Sequence, residues 1–174
     1  MTYNIPQDWM PKVKMDKIVV HWTAGTHKAN DVDKNAYHII IEGSGNVVRG
    51  NHSIADNVNT ADGKYAAHTK SLNTGTIGVS FAAMAGAVES PFNPGKFPIT
   101  ESQWARGMDV IACLAKEYGI PVTDKTILTH AEVQPNLGVK QNFKWDIVRL
   151  VFAPALVGYK AVGDKMRADI KARM

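Results

Sequence analysis

Residues 17–25 read Lys-Ile-Val-Val-His-Trp-Thr-Ala-Gly, and the rest of the fold is built outward from this stretch. Residues 18–20 are an uninterrupted β-branched run, which predicts a short buried strand. His21 stands where that strand ends, and residues 23–25 then turn the chain away. A histidine at the exit of a core strand is held rigidly while its ring faces a cleft, as a metal ligand requires. A lone histidine beside an apolar strand is more often a hydrogen-bonded core residue, so the assignment depends on the rest of the chain.

Length and composition indicate one globular domain, residues 1–174. A chain of 174 residues is long enough to bury an ordinary core without staples. Its 45% hydrophobic and 21% charged residues match globular composition. The single cysteine, Cys113, excludes an internal disulfide framework and lies in an apolar helical pattern, so we expect it to be a small core residue.

The N-terminal segment Met-Thr-Tyr-Asn-Ile-Pro-Gln-Asp-Trp carries no basic region followed by an apolar run. We therefore expect no signal peptide. We also find no stretch of the sequence that is apolar over the length needed to cross a bilayer. These features predict a protein that is made in the cytoplasm and stays there unless something releases it.

The net charge of +4 is concentrated at the C-terminus. Residues 140–174 hold 8 basic and 3 acidic side chains, whereas residues 1–139 hold 12 basic and 13 acidic ones. A basic tail favours an anionic surface such as lipid or cell-wall polymer, and it is equally compatible with a solvated helix face. No aromatic stacking platform or recognition motif accompanies the basic residues, so nucleic acid is not a predicted partner.

Hydrophobic periodicity predicts a mixed sheet flanked by helices. After the first strand, residues 37–42 and 47–49 flank a Gly-Ser-Gly-Asn turn, which is typical of a β-hairpin. Thr100 and Gln103 form a capping box at the start of a helix that ends near Gly119. The alternation of strands and helices places the chain in the α/β (α+β) class, with a single mixed β-sheet. The other predicted elements are a polar loop at 50–75, strands at 76–82 and 126–129, helices at 145–152 and 156–174, and a core spanning about 17–152.

A second histidine, His130, follows a predicted strand in the same way as His21. If the two strands are neighbours, the two rings meet at one edge of the sheet. A catalytic zinc site needs a third protein ligand and one open position, and Asp146 is the candidate for that ligand. In an extended segment Lys144 points the same way as Asp146, so its ammonium group would stabilise negative charge that develops at the site. A surface charge pair is the plain alternative for Lys144 and Asp146.

Five motifs, in this order along the chain, resemble one known family. The runs IVVHWTAG, AYHIIIEGSGNVVRG, AAHTKSLNTGTIGVSF, ILTHAEV and FKWD are similar to the zinc-dependent N-acetylmuramoyl-L-alanine amidases of type 2. That family includes short phage endolysins and is similar in fold to the animal peptidoglycan recognition proteins. The resemblance covers about residues 17–150 and implies a peptidoglycan-recognition-protein-like amidase fold.

The resemblance also implies roles for individual residues. His21, His130 and Asp146 match the three ligands of one Zn²⁺ per chain. Lys144 matches the lysine two residues before the third ligand, and Tyr37 matches a tyrosine of the endolysin branch; both are assigned to catalysis. The residues assigned to substrate binding along the groove are Trp22, His68 and Asn73.

The activity that the resemblance implies is hydrolysis of the amide bond between N-acetylmuramic acid and L-alanine in bacterial peptidoglycan. The expected protein is a monomeric phage or prophage endolysin, an antimicrobial hydrolase that lyses the host cell wall from the periplasm after release from the cytoplasm. Its basic C-terminal helix would suit contact with anionic outer-membrane lipid. Two alternatives stay open, namely a non-catalytic peptidoglycan-binding module on the same fold and a cytosolic amidase that recycles muropeptides. Binding-only relatives lose the third ligand, which this chain keeps.

Two features depart from the family's pattern. Ile147 and Val148 follow Asp146 where family members often have proline and glycine, and the gap between His130 and Asp146 is longer than in the shortest endolysins. Two polar residues within the motifs are assigned no direct role, although Glu132 is close enough to His130 in sequence to assist it. Glu132 is expected to be a solvent-exposed carboxylate, and His38 is expected to be a packed histidine on the face opposite Tyr37.

Overall fold

The computed structural model describes residues 5–174 as one mixed sheet flanked by helices, as the sequence predicts. The strands in this part of the chain are β1 (Lys17–Trp22), β2 (Ile39–Ile41), β3 (Val47–Arg49), β4 (Thr76–Phe81) and β5 (Ile127–Thr129). The helices are α1 (Asp31–Ala36), α2 (Glu101–Tyr118), α3 (His130–Leu137) and α4 (Tyr159–Lys171), with 3-10 turns at Gln7–Trp9 and Ile54–Asn57. The five strands lie in the spatial order β3-β2-β4-β1-β5.

Strand β1 lies at the centre of the parallel part of the sheet. It pairs in parallel with β4 on one side and with β5 on the other, while β2 pairs in parallel with β4 and antiparallel with β3. Central parallel strands are buried on both faces, which explains the continuous apolar run at 18–20. Val20 is in register with Thr129, so the residues that follow them, His21 and His130, leave the same edge of the sheet side by side.

The two faces of the sheet differ in chemistry. On one face, alternate residues such as Ile18 and Val20 join the hydrophobic core that α2 and α4 cover. The loop between β3 and β4 packs against the opposite face, where the His68 ring lies directly over Gly78. A methyl group at Gly78 would collide with this ring, so the absence of a side chain there gives His68 its place. The sheet therefore has an apolar face that stabilises the fold and a polar face on which histidines gather.

Helix α2 begins and ends where its capping residues predict. The Thr100 hydroxyl accepts a hydrogen bond from the Gln103 N–H (3.1 Å), and the Gln103 side chain accepts one from the Thr100 N–H (3.3 Å). The helix ends at Gly119 in the left-handed conformation (φ 62°), which glycine adopts without steric cost. Its buried face includes Trp104, Met108, Ile111 and Leu114.

The basic C-terminal helix α4 packs its apolar stripe into the core. Val162, Met166 and Ile170 are fully buried, and the helix contacts α2, α3 and β5. The amphipathic pattern of this segment is therefore explained by packing within the fold. Contact with anionic lipid stays a prediction, and in this arrangement it would use exposed basic residues such as Lys160 and Lys171.

Glu132 is buried, and the expectation that it lies exposed to solvent is wrong. Its side chain is only 1% exposed because Arg167 of α4 pairs with both carboxylate oxygens, at 2.8 and 3.0 Å. The same carboxylate accepts a hydrogen bond from the Thr129 N–H (2.9 Å), and Arg167 also donates to the Ile127 carbonyl (3.1 Å). At Gly163 a methyl group would collide with the Glu132 carboxylate, so glycine lets α4 approach this closely. This ion pair joins α4 to the point where β5 passes into α3.

The predicted helix at 145–152 is wrong, because these residues form turns instead. The Asp146 carbonyl accepts a hydrogen bond from the Ala131 N–H (2.6 Å), which ties the segment to α3. Trp145 packs edge-on against Trp22, with ring centroids 4.6 Å apart. Tertiary contacts of this kind hold apolar residues in an irregular path that periodicity alone does not distinguish from a helix.

Helix α3 lies between the predicted strand at 126–129 and residue 145, where the sequence analysis predicts no helix. It begins at His130, directly after β5, and ends before Gly138, which is left-handed (φ 73°). Pro135 lies inside this short helix, and a proline in the interior of a segment predicts that no helix continues through it. His130 is therefore both the residue after a core strand and the first residue of a helix.

Among the helices of residues 5–174, none combines the length and apolarity that a bilayer crossing requires. The expectation that the N-terminus lacks a signal peptide falls partly on residues 1–4, which lie outside the described residues, and it stays a prediction. The assignment of the whole chain to one amidase domain also stays a prediction.

Replacing Arg167 by methionine is expected to lower the free energy of unfolding by about 3–5 kcal/mol, because the Glu132 carboxylate would stay buried without its partner. Combining this change with Glu132→Gln should recover much of the loss, since a neutral amide does not need a cation beside it. Urea denaturation of the two variants measures both values. A double variant as unstable as Arg167→Met alone would show that the loss does not come from an unpaired charge.

Candidate metal centre

The candidate metal centre lies where the carboxyl ends of β1 and β5 meet. His21 is a residue of β1, and His130 follows β5 as the first residue of α3. Both rings are buried, with 1% of His21 and 6% of His130 exposed, and their centroids are 4.6 Å apart in an edge-to-face arrangement. The two histidines therefore meet at one edge of the sheet, as the sequence predicts.

Asp146 reaches this edge through an unusual turn. Asn142 and Phe143 are consecutive non-glycine residues in the left-handed region, with φ angles of 51° and 60°. Such a conformation is disfavoured for residues with a Cβ and is found mainly where the surrounding structure imposes it. The turn brings Asp146 to the two histidines, and the Asp146 side chain is buried with 6% of its surface exposed.

The three predicted ligands converge with one atom each. His21 Nδ1 and His130 Nδ1 are 3.1 Å apart, and Asp146 Oδ2 lies 3.3 Å from the first and 3.4 Å from the second. A tetrahedral zinc ion with ligand bonds of about 2.0–2.1 Å has edges of about 3.3–3.4 Å between its ligand atoms. The donor set and its spacing therefore fit one tetrahedral metal ion with three protein ligands, and residues His21, His130 and Asp146 could hold it.

The electrostatics of the group favour the protonation states that metal binding needs. Burial lowers the pKa of His21 to about 4, so this imidazole is neutral near pH 7. Burial raises the pKa of Asp146, but His130 and His21 beside it outweigh this and hold the pKa of the carboxyl below its usual value. A neutral imidazole and an ionised carboxylate are the forms in which these side chains bind metals.

A cavity of about 420 Å³ opens beside the three ligands. Lys144 and Asp146 both line it. Tyr37 also lines it, and its hydroxyl lies 3.5 Å from the Trp22 carbonyl. Burial raises the pKa of Tyr37, so its hydroxyl keeps its proton and can donate a hydrogen bond at neutral pH. The remaining side chains and backbone around this cavity belong to Trp22, Thr23, Ala24, His68, His130, Asn142, Phe143 and Trp145.

His68 lines the cavity, but both of its ring nitrogens make hydrogen bonds within the protein, one with His21 and one with the Thr76 carbonyl. His68 Nδ1 lies 3.1 Å from His21 Nε2, and His68 Nε2 lies 3.3 Å from the Thr76 carbonyl. The Thr69 hydroxyl lies 2.8 Å from His68 Nδ1 and 3.4 Å from His21 Nε2. Because a carbonyl only accepts, His68 donates to Thr76 from Nε2 and accepts at Nδ1 from His21 Nε2–H. These contacts direct His21 Nδ1 toward the metal position.

Asn73 shapes the loop that carries His68. Its side-chain oxygen accepts hydrogen bonds from the backbone N–H groups of His68 (3.0 Å) and Thr69 (2.9 Å). Asn73 also lines a second cavity of about 380 Å³, which adjoins the first through His68, His130 and Lys144. The contact of Asn73 with substrate stays a prediction. Its hydrogen bonds within the loop give it a structural role as well.

His38 forms a further buried layer behind His68. The Gly78 N–H donates to His38 Nδ1 (3.0 Å), so the neutral ring donates from Nε2 to the Asn57 side chain (2.9 Å). Burial lowers the pKa of His38 to about 4. The prediction that His38 is a packed histidine is confirmed.

Two residues outside the predicted site reach the histidine ligands from behind. Thr69 contacts His21 as described, and Gln141 Oε1 lies 2.7 Å from His130 Nε2. Thr69 belongs to the AAHTKSLNTGTIGVSF motif and follows His68 directly, so its position in the sequence could have indicated a place near the site. Gln141 lies in a polar stretch without periodicity, and nothing in its sequence surroundings marks it.

Comparison with known proteins agrees with this architecture. The model of the N-acetylmuramoyl-L-alanine amidase family of type 2 matches residues 11–146, which is more than half of the chain and ends at Asp146. The chain belongs to this family. None of the curated proteins matches its sequence.

Several solved structures with low sequence identity are similar to this chain. The Ph2119 endolysin from Thermus scotoductus MAT2119 bacteriophage Ph2119 is 14% identical, with a TM-score of 0.50 over 78% of this chain and 82% of that one. The endolysin and N-acetylmuramoyl-L-alanine amidase LysCS from Clostridium intestinale URNW is 16% identical, with a TM-score of 0.45 over 73% of this chain and 86% of that one. The Drosophila peptidoglycan recognition protein SD is 17% identical, with a TM-score of 0.45 over 90% of this chain and 89% of that one.

The buried His38 is expected to make stability fall at acid pH. Its pKa in the folded protein, about 4, lies below the ordinary value of 6.5, so the unfolded chain binds more protons between these two values. The free energy of unfolding of the protein in a chelator should therefore drop by about 3 kcal/mol through His38 alone as the pH falls from 6.5 to 4. In His38→Asn, whose amide oxygen can still accept from Gly78, this part of the slope should vanish. A stability difference between the two proteins that is the same at pH 7 and pH 4 would contradict the assignment.

Proposed function

We propose that this protein is a zinc-dependent hydrolase that cleaves the amide bond between N-acetylmuramic acid and L-alanine in peptidoglycan. The observation that carries the proposal is the convergence of His21 Nδ1, His130 Nδ1 and Asp146 Oδ2 within 3.4 Å of one another beside an open cavity. Family membership supports the choice of substrate bond. When bound, zinc supplies Lewis acidity, which acidifies water and polarises an amide carbonyl.

Lys144 is proposed to stabilise the negative charge that develops on the substrate. Hydrolysis adds water to the amide carbonyl carbon, so charge builds on the carbonyl oxygen before the C–N bond breaks. The Lys144 side chain is exposed at the wall of the cavity that Asp146 also lines, where its ammonium group can meet this oxygen. A single preorganised donor of this kind contributes about 2.7–4 kcal/mol to transition-state stabilisation.

Tyr37 is proposed to hold the reacting groups through its hydroxyl. The Tyr37 and His21 ring centroids are 5.2 Å apart, so the phenol stands next to one ligand and faces the same cavity. Because its pKa is raised, the neutral hydroxyl can orient water, donate to the developing oxyanion and assist proton transfer to the departing amine of L-alanine. Trp22, His68 and Asn73 line the two adjoining cavities and are proposed to contact the substrate along them.

The biological role that we propose is that of a phage or prophage endolysin acting on the wall after release from the cytoplasm. A non-catalytic peptidoglycan-binding module is the main alternative. The intact set of three ligands, together with Lys144 and Tyr37 at the cavity, favours the enzyme. A cytosolic muropeptide-recycling amidase would use the same site and would prefer soluble fragments to intact wall, so comparing the two substrates separates these roles.

The purified protein is expected to hold about one zinc ion per chain and to release soluble material with new L-alanine amino termini from peptidoglycan. Asp146→Ala should lose both the metal and the activity, because two imidazoles alone do not complete the ligand set. Asp62→Ala, which removes an exposed carboxylate of the polar loop, is the matched control and should keep both. If the wild-type protein binds peptidoglycan but liberates no amines with added zinc, the binding-module alternative replaces the enzyme.

Lys144→Met should lower kcat by roughly 100–1,000-fold while zinc affinity stays unchanged, because the ammonium group acts on the transition state and not on the metal. Steady-state kinetics on a soluble muropeptide, together with zinc analysis of the same preparation, measures both effects. A variant that keeps the wild-type kcat would remove Lys144 from the mechanism.

A further inference from the structure

Gln141 is a buried polar residue, and both ends of its side-chain amide have a hydrogen-bond partner. Only 3% of its surface is exposed. Its side-chain oxygen lies 2.7 Å from His130 Nε2, and its side-chain nitrogen donates to the Lys70 carbonyl at 2.7 Å. Its backbone N–H donates to the side chain of Gln134 on α3 at 3.0 Å. Gln141 therefore joins helix α3, the loop that carries His68, and the His130 ring.

The Lys70 carbonyl determines the direction of this hydrogen-bond chain. A backbone carbonyl can only accept, so the atom of Gln141 that faces it must be the NH₂ group. The amide oxygen then faces His130 and must accept, which places the proton of the imidazole on Nε2. The lone pair of His130 Nδ1 is left pointing at His21 Nδ1 (3.1 Å) and Asp146 Oδ2 (3.4 Å), where the metal would bind.

The hydrogen bonds of His21 fix its tautomer in the same way. His21 Nε2 donates to His68, and His68 donates in turn to the Thr76 carbonyl. Both chains of hydrogen bonds thus end on a backbone carbonyl of residues 70–76, and both leave Nδ1 as the free ligand atom. His68 is part of a recognised motif, whereas Gln141 has no counterpart among the motifs of the sequence analysis.

We propose that Gln141 is a positioning residue that orients His130 and sets its Nε2–H tautomer for metal binding. The inference rests on the metal site of the proposed function and adds a residue that acts through His130 and not on the substrate. Gln141 also immediately precedes the left-handed residues Asn142 and Phe143. Its three anchors hold the start of the turn that delivers Asp146, so one side chain serves two of the three ligands.

The test compares zinc affinity in variants that differ in the acceptor atom. Gln141→Leu fills similar space without an acceptor and should weaken zinc binding by about 10–100-fold, as loss of a partner behind a metal-bound histidine commonly does. Gln141→Glu, as the protonated acid, keeps an acceptor oxygen for His130 and an O–H that donates to the Lys70 carbonyl, and it should stay within about three-fold of the wild type. Gln141→Met, which fills the space with a flexible chain, serves as a second acceptor-free variant if the leucine variant does not fold.

Gln103→Leu is the matched control. Gln103 is also fully buried and also donates to backbone carbonyls, those of Ile41 and Ala82 at 3.0 Å, but it contacts none of the three ligands. Its replacement should destabilise the fold without changing zinc affinity. Competition with a chromophoric chelator gives the affinities. Proton NMR of the zinc-loaded protein adds a second readout, since the His130 Nε2–H resonance should be protected from exchange in the wild type and Gln141→Glu only.

The outcomes separate the inference from the function on which it rests. Wild-type zinc affinity in Gln141→Leu or Gln141→Met would overturn the positioning role while leaving the proposed enzyme intact. The same holds if Gln141→Glu loses as much affinity as Gln141→Leu, because the acceptor oxygen would then not matter. A wild-type protein that binds no zinc would overturn both the inference and the proposed function. Loss in the acceptor-free variants with recovery in Gln141→Glu supports the role.

Discussion

The parallel pairing of β1 with β5 is the constraint on which the rest of the molecule depends. Parallel strands run in the same direction, so their carboxyl ends share one edge of the sheet, where open α/β sheets form their binding sites. The register between Val20 and Thr129 places His21 and His130 next to each other at that edge. Any shift of β5 along β1 would separate the two rings. The apolar core on one face of the sheet therefore sets the geometry of a polar site at its end.

Several buried polar contacts hold this edge in place. Behind the candidate metal position, His21 donates a hydrogen bond to His68 and His130 donates one to Gln141. His68 and Gln141 donate in turn to backbone carbonyls. Beneath His130, the ion pair between Glu132 and Arg167 joins the start of α3 to the C-terminal helix. Buried polar groups of this kind cost free energy unless every partner is present. The arrangement implies that the C-terminal helix supports the site from a distance and that its basic composition is partly structural.

The sheet, helix α2 and the meeting of His21, His130 and Asp146 could be predicted from local signals and from the order of the motifs. The β-branched run before His21 and the capping pair of Thr100 and Gln103 act over short distances in sequence, whereas the order of the five motifs spans about residues 17–150. The failures share a physical cause, since they depend on contacts between distant segments. Glu132 is buried because α4 supplies Arg167, 35 residues further along the chain. Residues 145–152 have an apolar pattern that resembles a helix, yet their path is set by tertiary contacts, and Gln141 gains its position only when three segments meet.

The most direct test of the central claim is identification of the bond that the protein cleaves. Purified peptidoglycan would be digested with the zinc-loaded protein, and the soluble products would be analysed by mass spectrometry. We expect free stem peptides that begin with an L-alanine amino group, together with glycan strands that carry unsubstituted lactyl carboxylates. Disaccharide-peptide products would place the cut in the glycan, and the absence of any soluble product would mean that the three converging ligands serve binding alone. Either result would contradict the account.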